Sequence, residues 1–526
     1  MTVKNKSLIT IFVFFIIFII GSLNFKNYGV HWDSEAQRKI GFINGNYILK
    51  LFLSDDKYDD IFKELTSPKF DKKTIFRNSF NFKDYSENTY GAGFELPSAA
   101  IETFFKIKDF QDVFLLRHYM NFLFFFISLI FFFKFVNYKF KSHLFGIIGV
   151  FFLILNPRIF AESFYNSKDI IFMSSIIFSN YFGYKLIKKF KTKNLILFAL
   201  MTGFAASIRI IGVINIPLFI FLLVLVNKKI EILNIILISS LSLVFFYIMY
   251  PYLWENPLLN LINSVKFFSE HRLSVDVFYF GEFINSQNVP WHYLPVWILV
   301  STPEVIIIFF IFGLFFTLKK FFKKKIDEEF LFFFFQIFIP IFIPIILGST
   351  LYDGWRQFYF IYPAMIIVSL SFLESLKNKK FLIASILIVM NLTFVCFWCI
   401  KNHPYQYLYF NNFVNKPLEY FEKDFWGLSN KQLLEHVNTL EKKKIYYDFI
   451  GSNIKSSIKF QNEKDKDRYI YIKDTPDKFD EYYVFVNNRF IDPKEIKLLR
   501  SNKNFIKELI IDGTYINGVY KVSLNN

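Results

Sequence analysis

The chain has 526 residues, 54% of them hydrophobic and 76 of them Phe, and a formal net charge of +17. Its apolar runs repeatedly reach the ~20 residues needed to cross a ~30 Å hydrocarbon layer, which excludes an ordinary soluble globule. Its two cysteines, Cys396 and Cys399, lie inside the last apolar run as CFWC. That setting excludes a disulfide framework and gives no soluble thioredoxin-like context for a redox CxxC.

In chain order, about eleven spans are expected, near residues 8–24, 114–133, 144–156, 170–187, 194–208, 210–227, 231–250, 296–317, 329–348, 358–375 and 380–400. The first follows Lys4 and Lys6, has no A-x-A-like site after it, and reads as an uncleaved anchor. The stretch 195–226 is too long for one span and tight for two. Two crossings, with a bend near Arg209, Gly212 and Pro217, put VNYKFK, KKFKTK, NKK, KKFFKKK and KNKK on the side of the N-terminus. Short cytoplasmic loops carry Lys and Arg in this way. Much of the positive charge is then a topology signal plus attraction to anionic membrane lipids, and no nucleic-acid partner is expected.

The opposite, extracytoplasmic side receives the long loop 25–113, short loops near 157–169 and 349–357, the loop 251–295, and the tail from 401. Elaborated polar sequence gathers there, so chemistry is sought there. In the tail, KIYYDFI, RYIYIKD and YYVFVNNRF alternate as strands do, and LSNKQLLEHVNTLEKK has helical spacing. Asp512-Gly513 and Asn517-Gly518 are each hairpin signals. The tail, 401–526, is expected to form a small α/β or α+β domain beside a membrane domain of residues 1–400.

Several constellations could carry chemistry. In HWDSEAQ, Asp33 could act as a general base at a membrane surface, although Ser34-x-x-Gln37 also matches a helix capping box. In NPRIFAESFYNSKDI, Arg158, Glu162, Lys168 and Asp169 crowd ionisable groups between two apolar runs. Lys168 suits a phosphate, Asp169 suits orienting a donor or acceptor or meeting a cation, and interfacial anchoring would explain the same charges. Arg209, costly inside a membrane, should face a polar cavity or snorkel to an interface. In LYDGWRQFYFIYP, Gly354 permits a turn and Arg356 offers a planar fork for phosphate, beside Asp353. An aromatic belt with one anchoring Arg is the plainer account of that segment. His271 and His292 invite a metal reading, but no HExxH-like spacing supports one. The phosphate-loop, dinucleotide and GxSxG motifs are absent as well.

Four segments, HWDSEAQRKIG, NPRIFAESFYNSKDI, YDGWRQFYFIYP and the pair HPYQYLYFN with FEKDFWGLS, together resemble the GT-C fold glycosyltransferases. The nearer likeness is to the glycosyltransferase 39 group, with its protein O-mannosyltransferases and lipid A aminoarabinose transferases. The resemblance implies a polytopic helical membrane protein with an extracytoplasmic C-terminal domain, placed in a bacterial inner membrane. It also implies transfer of a sugar from a polyprenyl-phosphate donor to an acceptor glycan, lipid or protein, by single displacement with inversion. Asp33 would be the base and Asp169 the second-loop acid, with Glu35, Lys168, Arg209, Asp353 and Arg356 toward the substrates. The family's usual adjacent Asp-Glu pair is interrupted here by Ser34. No cofactor is required, and a divalent cation is the one helper left open. The competing readings are a transporter or lipid flippase, for which the sequence lacks inverted repeats, and a catalytically degenerate envelope binding protein.

Overall fold

The computed structural model describes residues 3–66, 82–226, 230–269, 274–322, 328–472 and 479–523. Up to residue 401 the chain is built from helices α1 Val3–Asn24, α2 Ser34–Phe52, α3 Asp55–Thr66, α4 Glu95–Phe104, α5 Phe110–Phe140, α6 His143–Ile154, α7 Pro157–Tyr165, α8 Asp169–Lys188, α9 Thr192–Ile208, α10 Asn215–Val226, α11 Ile232–Met249, α12 Pro257–Ser269, α13 Tyr293–Ser301, α14 Glu304–Phe322, α15 Glu328–Leu347, α16 Tyr362–Ser375 and α17 Asn378–Lys401. A two-stranded hairpin, β1 Asp276–Tyr279 with β2 Glu282–Asn285, interrupts them.

Among the described residues, seven helical runs are long and apolar enough to cross a membrane. They are α1, α5, α8, α11, α15, the run Arg356–Ser375 that ends in α16, and α17. The bent pair α6–α7 makes an eighth if it is counted as one span. The apolar segments read as spans are helical among the described residues, but four are short or broken: α6 and α10 have 12 residues each, α9 has 17, and the segment near 296–317 divides into α13 and α14 around Thr302-Pro303. The basic stretch NKK and part of KKFFKKK lie outside the described residues, as does Glu270-His271-Arg272.

Two breaks shape the site. Asn156 precedes Pro157 and is pushed into extended backbone (ψ 112°), because the proline ring crowds a helical conformation there. Its side chain caps α7, and α6 and α7 meet at 70°. At the second break Arg209 is extended (φ −137°, ψ 123°) and a 3-10 turn Ile210–Ile214 follows. The chain reverses here, at the bend expected from sequence: Phe198 of α9 stacks on Phe219 of α10 at 4.1 Å, while Leu195 and Leu223 share one apolar cluster. Pro217 falls in the first turn of α10, where its missing N–H costs nothing.

The bundle packs on stripes at helical spacing; Phe125, Leu129, Phe132 and Val136 of α5 are fully buried. Polar side chains clamp α8, α9, α10 and α15 across the apolar interior. Ser179 meets Thr202 at 2.7 Å and accepts from Asn215 at 2.8 Å, and Asn180 donates to Gln336 at 3.0 Å. Such interhelical bonds contribute about 0.6–2 kcal/mol each in lipid.

The tail contains α18 Asn430–Leu440, β3 Ile445–Ile450, α19 Lys455–Lys459, α20 Glu463–Lys466, β4 Tyr469–Tyr471, β5 Glu481–Asn487, α21 Pro493–Asn502, β6 Phe505–Ile511 and β7 Thr514–Ser523. The sheet order is β4-β3-β5-β7-β6, with β3 parallel to both β4 and β5 and the rest antiparallel. Along β5, Tyr483 and Phe485 pack toward α18, and Val484 and Val486 toward α21. That alternation is the period of two that the sequence displayed. One expected hairpin is present: Asp512 (φ 45°) and Gly513 (φ 78°) turn β6 into β7. The other is corrected. Asn517-Gly518 lies within β7, because the Asn517 side chain is buried and donates to Ser429 and Asn430, both at 2.8 Å.

Candidate functional site

Asp33, Lys168, Asp169, Arg209, Asp353 and Arg356 converge at one end of the bundle. The second loop is organised by Asn166, whose side-chain oxygen accepts from the backbone N–H groups of Lys168 (3.2 Å) and Asp169 (2.8 Å) at the start of α8. Its amide group donates to Glu162 (2.6 Å) and Asp169 (2.9 Å). Tyr359 donates to the other Glu162 oxygen at 2.8 Å, so this buried carboxyl is fully engaged.

Asp169 is held between two arginines. Arg209, at the break after α9, donates to its Oδ1, and Arg356 donates to its Oδ2 at 2.9 Å. Arg356 also donates to Asp353 Oδ2 at 2.9 Å. Asp353 Oδ1 in turn accepts from Arg489 at 3.0 Å, with both side chains 1% exposed. Asp353 (φ 56°) and Gly354 (φ 70°) are both left-handed, which aims the Asp353 carboxylate at both guanidinium groups. Gly354 also needs that conformation against the face of Trp297. The result is a string, Arg209–Asp169–Arg356–Asp353–Arg489, that runs from the bundle into the C-terminal domain.

Asp33 faces this string. It is the residue before α2, half-buried, and no hydrogen bond or ion pair engages its carboxylate among the described residues. It acts electrostatically on Lys168, Arg356, Tyr90 and Tyr352. The capping box is not formed: α2 has no side-chain cap bond, and Gln37 instead accepts from Ser167. Glu35 is not brought into the site. Two residues along a helix of 3.6 residues per turn it points away from Asp33, accepting from Ser456 (2.6 Å) and Lys459 (2.8 Å) of the C-terminal domain.

Lys168 lies 3.9 Å over the Tyr90 ring. Burial, and then the charge of Arg209, pull its ammonium down to about 8. Tyr90 is brought there by close packing of the first loop onto the end of α9: a Cβ at Gly91 would sit 1.9 Å from the Ser207 carbonyl oxygen. His31, two residues before Asp33, is buried against Trp426 at 4.6 Å and bonded to the Tyr165 carbonyl at 3.1 Å. Burial, and then the charge of Arg356, depress its imidazole to about 3, so it is neutral and donates through Nε2. Glu422 is buried near Asp353, and desolvation followed by the Asp353 charge hold its carboxyl above the ordinary carboxylate range.

A small cleft begins one helical turn from this string. Its walls include Phe172, Gly212, Leu218, Pro340 and Phe360, with Asn215 and Gln336 the polar members. Phe172 follows Asp169 by three residues, Gly212 follows Arg209 by three, and Phe360 follows Arg356 by four. Apolar wall and charged string are thus parts of the same turns.

Arg489, Trp426 and Asn166 were not legible as site residues. Trp426 stacks on Arg356 at 4.6 Å from within FEKDFWGLS, and Arg489 lies two residues past the end of β5 within YYVFVNNRF. The one local signal was an Arg just beyond an apolar strand. Arg158, by contrast, is a packing residue, stacked on Phe410 at 4.6 Å and donating to the Tyr409 carbonyl at 2.9 Å. Among the described residues no three His, Cys, Asp or Glu side chains are grouped to hold a metal, and His292 bonds Tyr279 at 2.7 Å.

No family model and no curated protein matches the chain. Among solved structures it is similar to the crystal structure of ArnT from Cupriavidus metallidurans bound to undecaprenyl phosphate, with TM-score 0.47 and 9% identity over 98% of each chain. The apo form of the same protein scores 0.46 at 10% identity, again over 98% of each chain. Likeness at that level carries no functional weight of its own.

Proposed function

We propose that the chain is a membrane glycosyltransferase that moves a sugar from a polyprenyl-phosphate donor to an acceptor hydroxyl at the extracytoplasmic face. The observation that carries this reading is the pairing of an unengaged carboxylate, Asp33, with a cationic string in excess of its own anions. Three guanidinium groups face two carboxylates, and Lys168 adds a further cation. An anion at the string would complete its charge balance, and Arg209 keeps a buried Nε without a partner. The surrounding apolar helices suit the polyprenyl chain behind a phosphate.

The step is a single displacement. The acceptor oxygen attacks the anomeric carbon while its proton passes to an Asp33 oxygen. The bond from that carbon to the donor phosphate oxygen breaks, and its electron pair leaves with the phosphate. Arg209, Arg356 and Lys168 stabilise the charge growing there. Attack opposite the leaving group inverts the configuration. Asp169 and Asp353 are assigned positioning roles in this mechanism, because their oxygens are already committed to arginines. The base must be free to take a proton, and Asp33 is.

A transporter would also gather charges in a bundle, but it has no need of a free carboxylate opposite a phosphate site. The test supplies purified protein in lipid discs with polyprenyl-phosphate sugars and follows transfer or donor hydrolysis, with and without a metal chelator. Donor turnover that persists in chelator is the expected result. Binding of donors without any turnover, alongside movement of lipid across the bilayer, would replace the reading with a flippase.

A further inference from the structure

The C-terminal domain does not merely sit beside the site; one of its side chains spans it. Arg489 lies in the 3-10 turn Asn488–Phe490 after β5 and is 3% exposed. Beyond its neighbour Phe490, its guanidinium makes three engagements with other segments. One nitrogen donates to Asp353 at 3.0 Å, another donates to the Phe425 carbonyl, and the plane lies 4.1 Å from the Trp32 ring. Asp353 holds Arg356, which holds Asp169, and Trp32 is the chain neighbour of Asp33. One planar group therefore fixes the leaving-group side and the base side together. Phe425 is followed by Trp426, which stacks on Arg356 and meets His31 edge-on, so the same contact also sets the wall between the two sides.

We infer that Arg489 is a positioning residue for transfer, which makes the C-terminal domain part of the active site. The inference rests on the transferase reading for its kinetic consequences, and on geometry alone for the coupling of the two loops. A planar fork is needed, because an ammonium could meet Asp353 but could not at once reach the Phe425 carbonyl and lie flat on Trp32. The left-handed backbone at Asp353 is tolerated by Asp and Asn, so its conformation is kept in Asp353→Asn while the charge that binds both arginines is lost.

The test uses the full chain in lipid discs, comparing Arg489→Ala, Arg489→Lys and Asp353→Asn with the parent in donor kinetics and in hydrogen exchange over residues 28–36 and 351–358. Misplacing reacting groups by about 1 Å costs on the order of 100-fold, so Arg489→Ala is expected to lose about that much kcat with the donor KM changed less than about 3-fold. Arg489→Lys should recover roughly a tenth of the parent rate, and exchange should rise in both segments for Arg489→Ala. If Arg489→Ala does not fold, Arg489→Lys carries the test through its lower kcat and faster exchange over 28–36. Rates within about 3-fold of the parent, or a loss of rate without change of exchange in either segment, overturn the inference. A parent that turns over no donor while exchange responds as described leaves the coupling standing and removes the transferase reading instead.

Discussion

Two buried ionic clusters lie within a few turns of each other, and they differ in a way that separates structure from chemistry. In the first, Arg38 and Arg117 meet Glu102 and Glu95. Arg38 makes a forked contact with Glu102, and Arg117 reaches Glu95 at 2.7 Å and Glu102 at 3.4 Å. Two cations face two anions, and the cluster ties α2 and α4 of the first loop to α5. In the second, three arginines share two aspartates, a half-buried lysine stands by, and an unengaged carboxylate faces the group. A balanced buried cluster has no charge left for a ligand. An unbalanced one is costly unless something anionic completes it.

The contrast can be broken in order of expected effect. Removing one charge from the balanced cluster, as in Glu102→Gln, should cost about 3–5 kcal/mol of stability, because two buried guanidinium groups lose half of their compensation. Thermal unfolding in detergent checks this, and whatever protein folds should keep the parent kcat. Arg356→Lys keeps a charge but loses the fork between Asp169 and Asp353, so it should lower kcat about 100-fold, equivalent to roughly 2.7 kcal/mol. Its melting temperature should move less than that of Glu102→Gln; the reverse ranking would show that the second cluster is the structural one.

A smaller effect follows from Lys168. Its ammonium is held at about 8 by burial and then by Arg209, so it is charged below that pH and loses its charge as pH rises through it. Donor KM is therefore expected to climb about 3- to 10-fold between pH 7 and 9, roughly 1 kcal/mol of lost ion pairing. Lys168→Arg should flatten that rise, and a pH-independent KM in the parent would take Lys168 out of the donor site. The smallest effect belongs to Glu35. Its contacts to Ser456 and Lys459 are partly exposed, so Glu35→Gln should change stability by less than about 1 kcal/mol and leave kcat alone.

The parts of this molecule that were readable in its sequence are those with a local signal. Apolar runs announced the helices, charge bias announced the reversal at Arg209, and alternation announced β3, β4 and β5. Asp33, Lys168, Asp169, Arg209, Asp353 and Arg356 stood out because ionisable groups beside apolar runs are conspicuous. What the sequence could not disclose was pairing. Arg489 meets Asp353 across 136 positions, and Arg38 meets Glu102 across 64, with no spacing rule to connect them. For the same reason the two arginines that engage both oxygens of Asp169 could not be paired with it from sequence. Glu35, expected toward the substrates, is carried by the turn of α2 to Ser456 and Lys459 of the other domain. Asn517-Gly518 carried a hairpin signal that lost to burial, since the Asn517 side chain is more valuable as a clamp on Ser429 and Asn430 than as a turn.

The base role of Asp33 is tested by a single substitution. Asp33→Asn is nearly isosteric and leaves the cationic string untouched, so donor binding should be unchanged and the fold intact. With the proton acceptor gone, kcat for sugar transfer should fall by about 100- to 10,000-fold while donor KM stays within about 3-fold. A folded Asp33→Asn protein that transfers sugar at the parent rate would contradict the account.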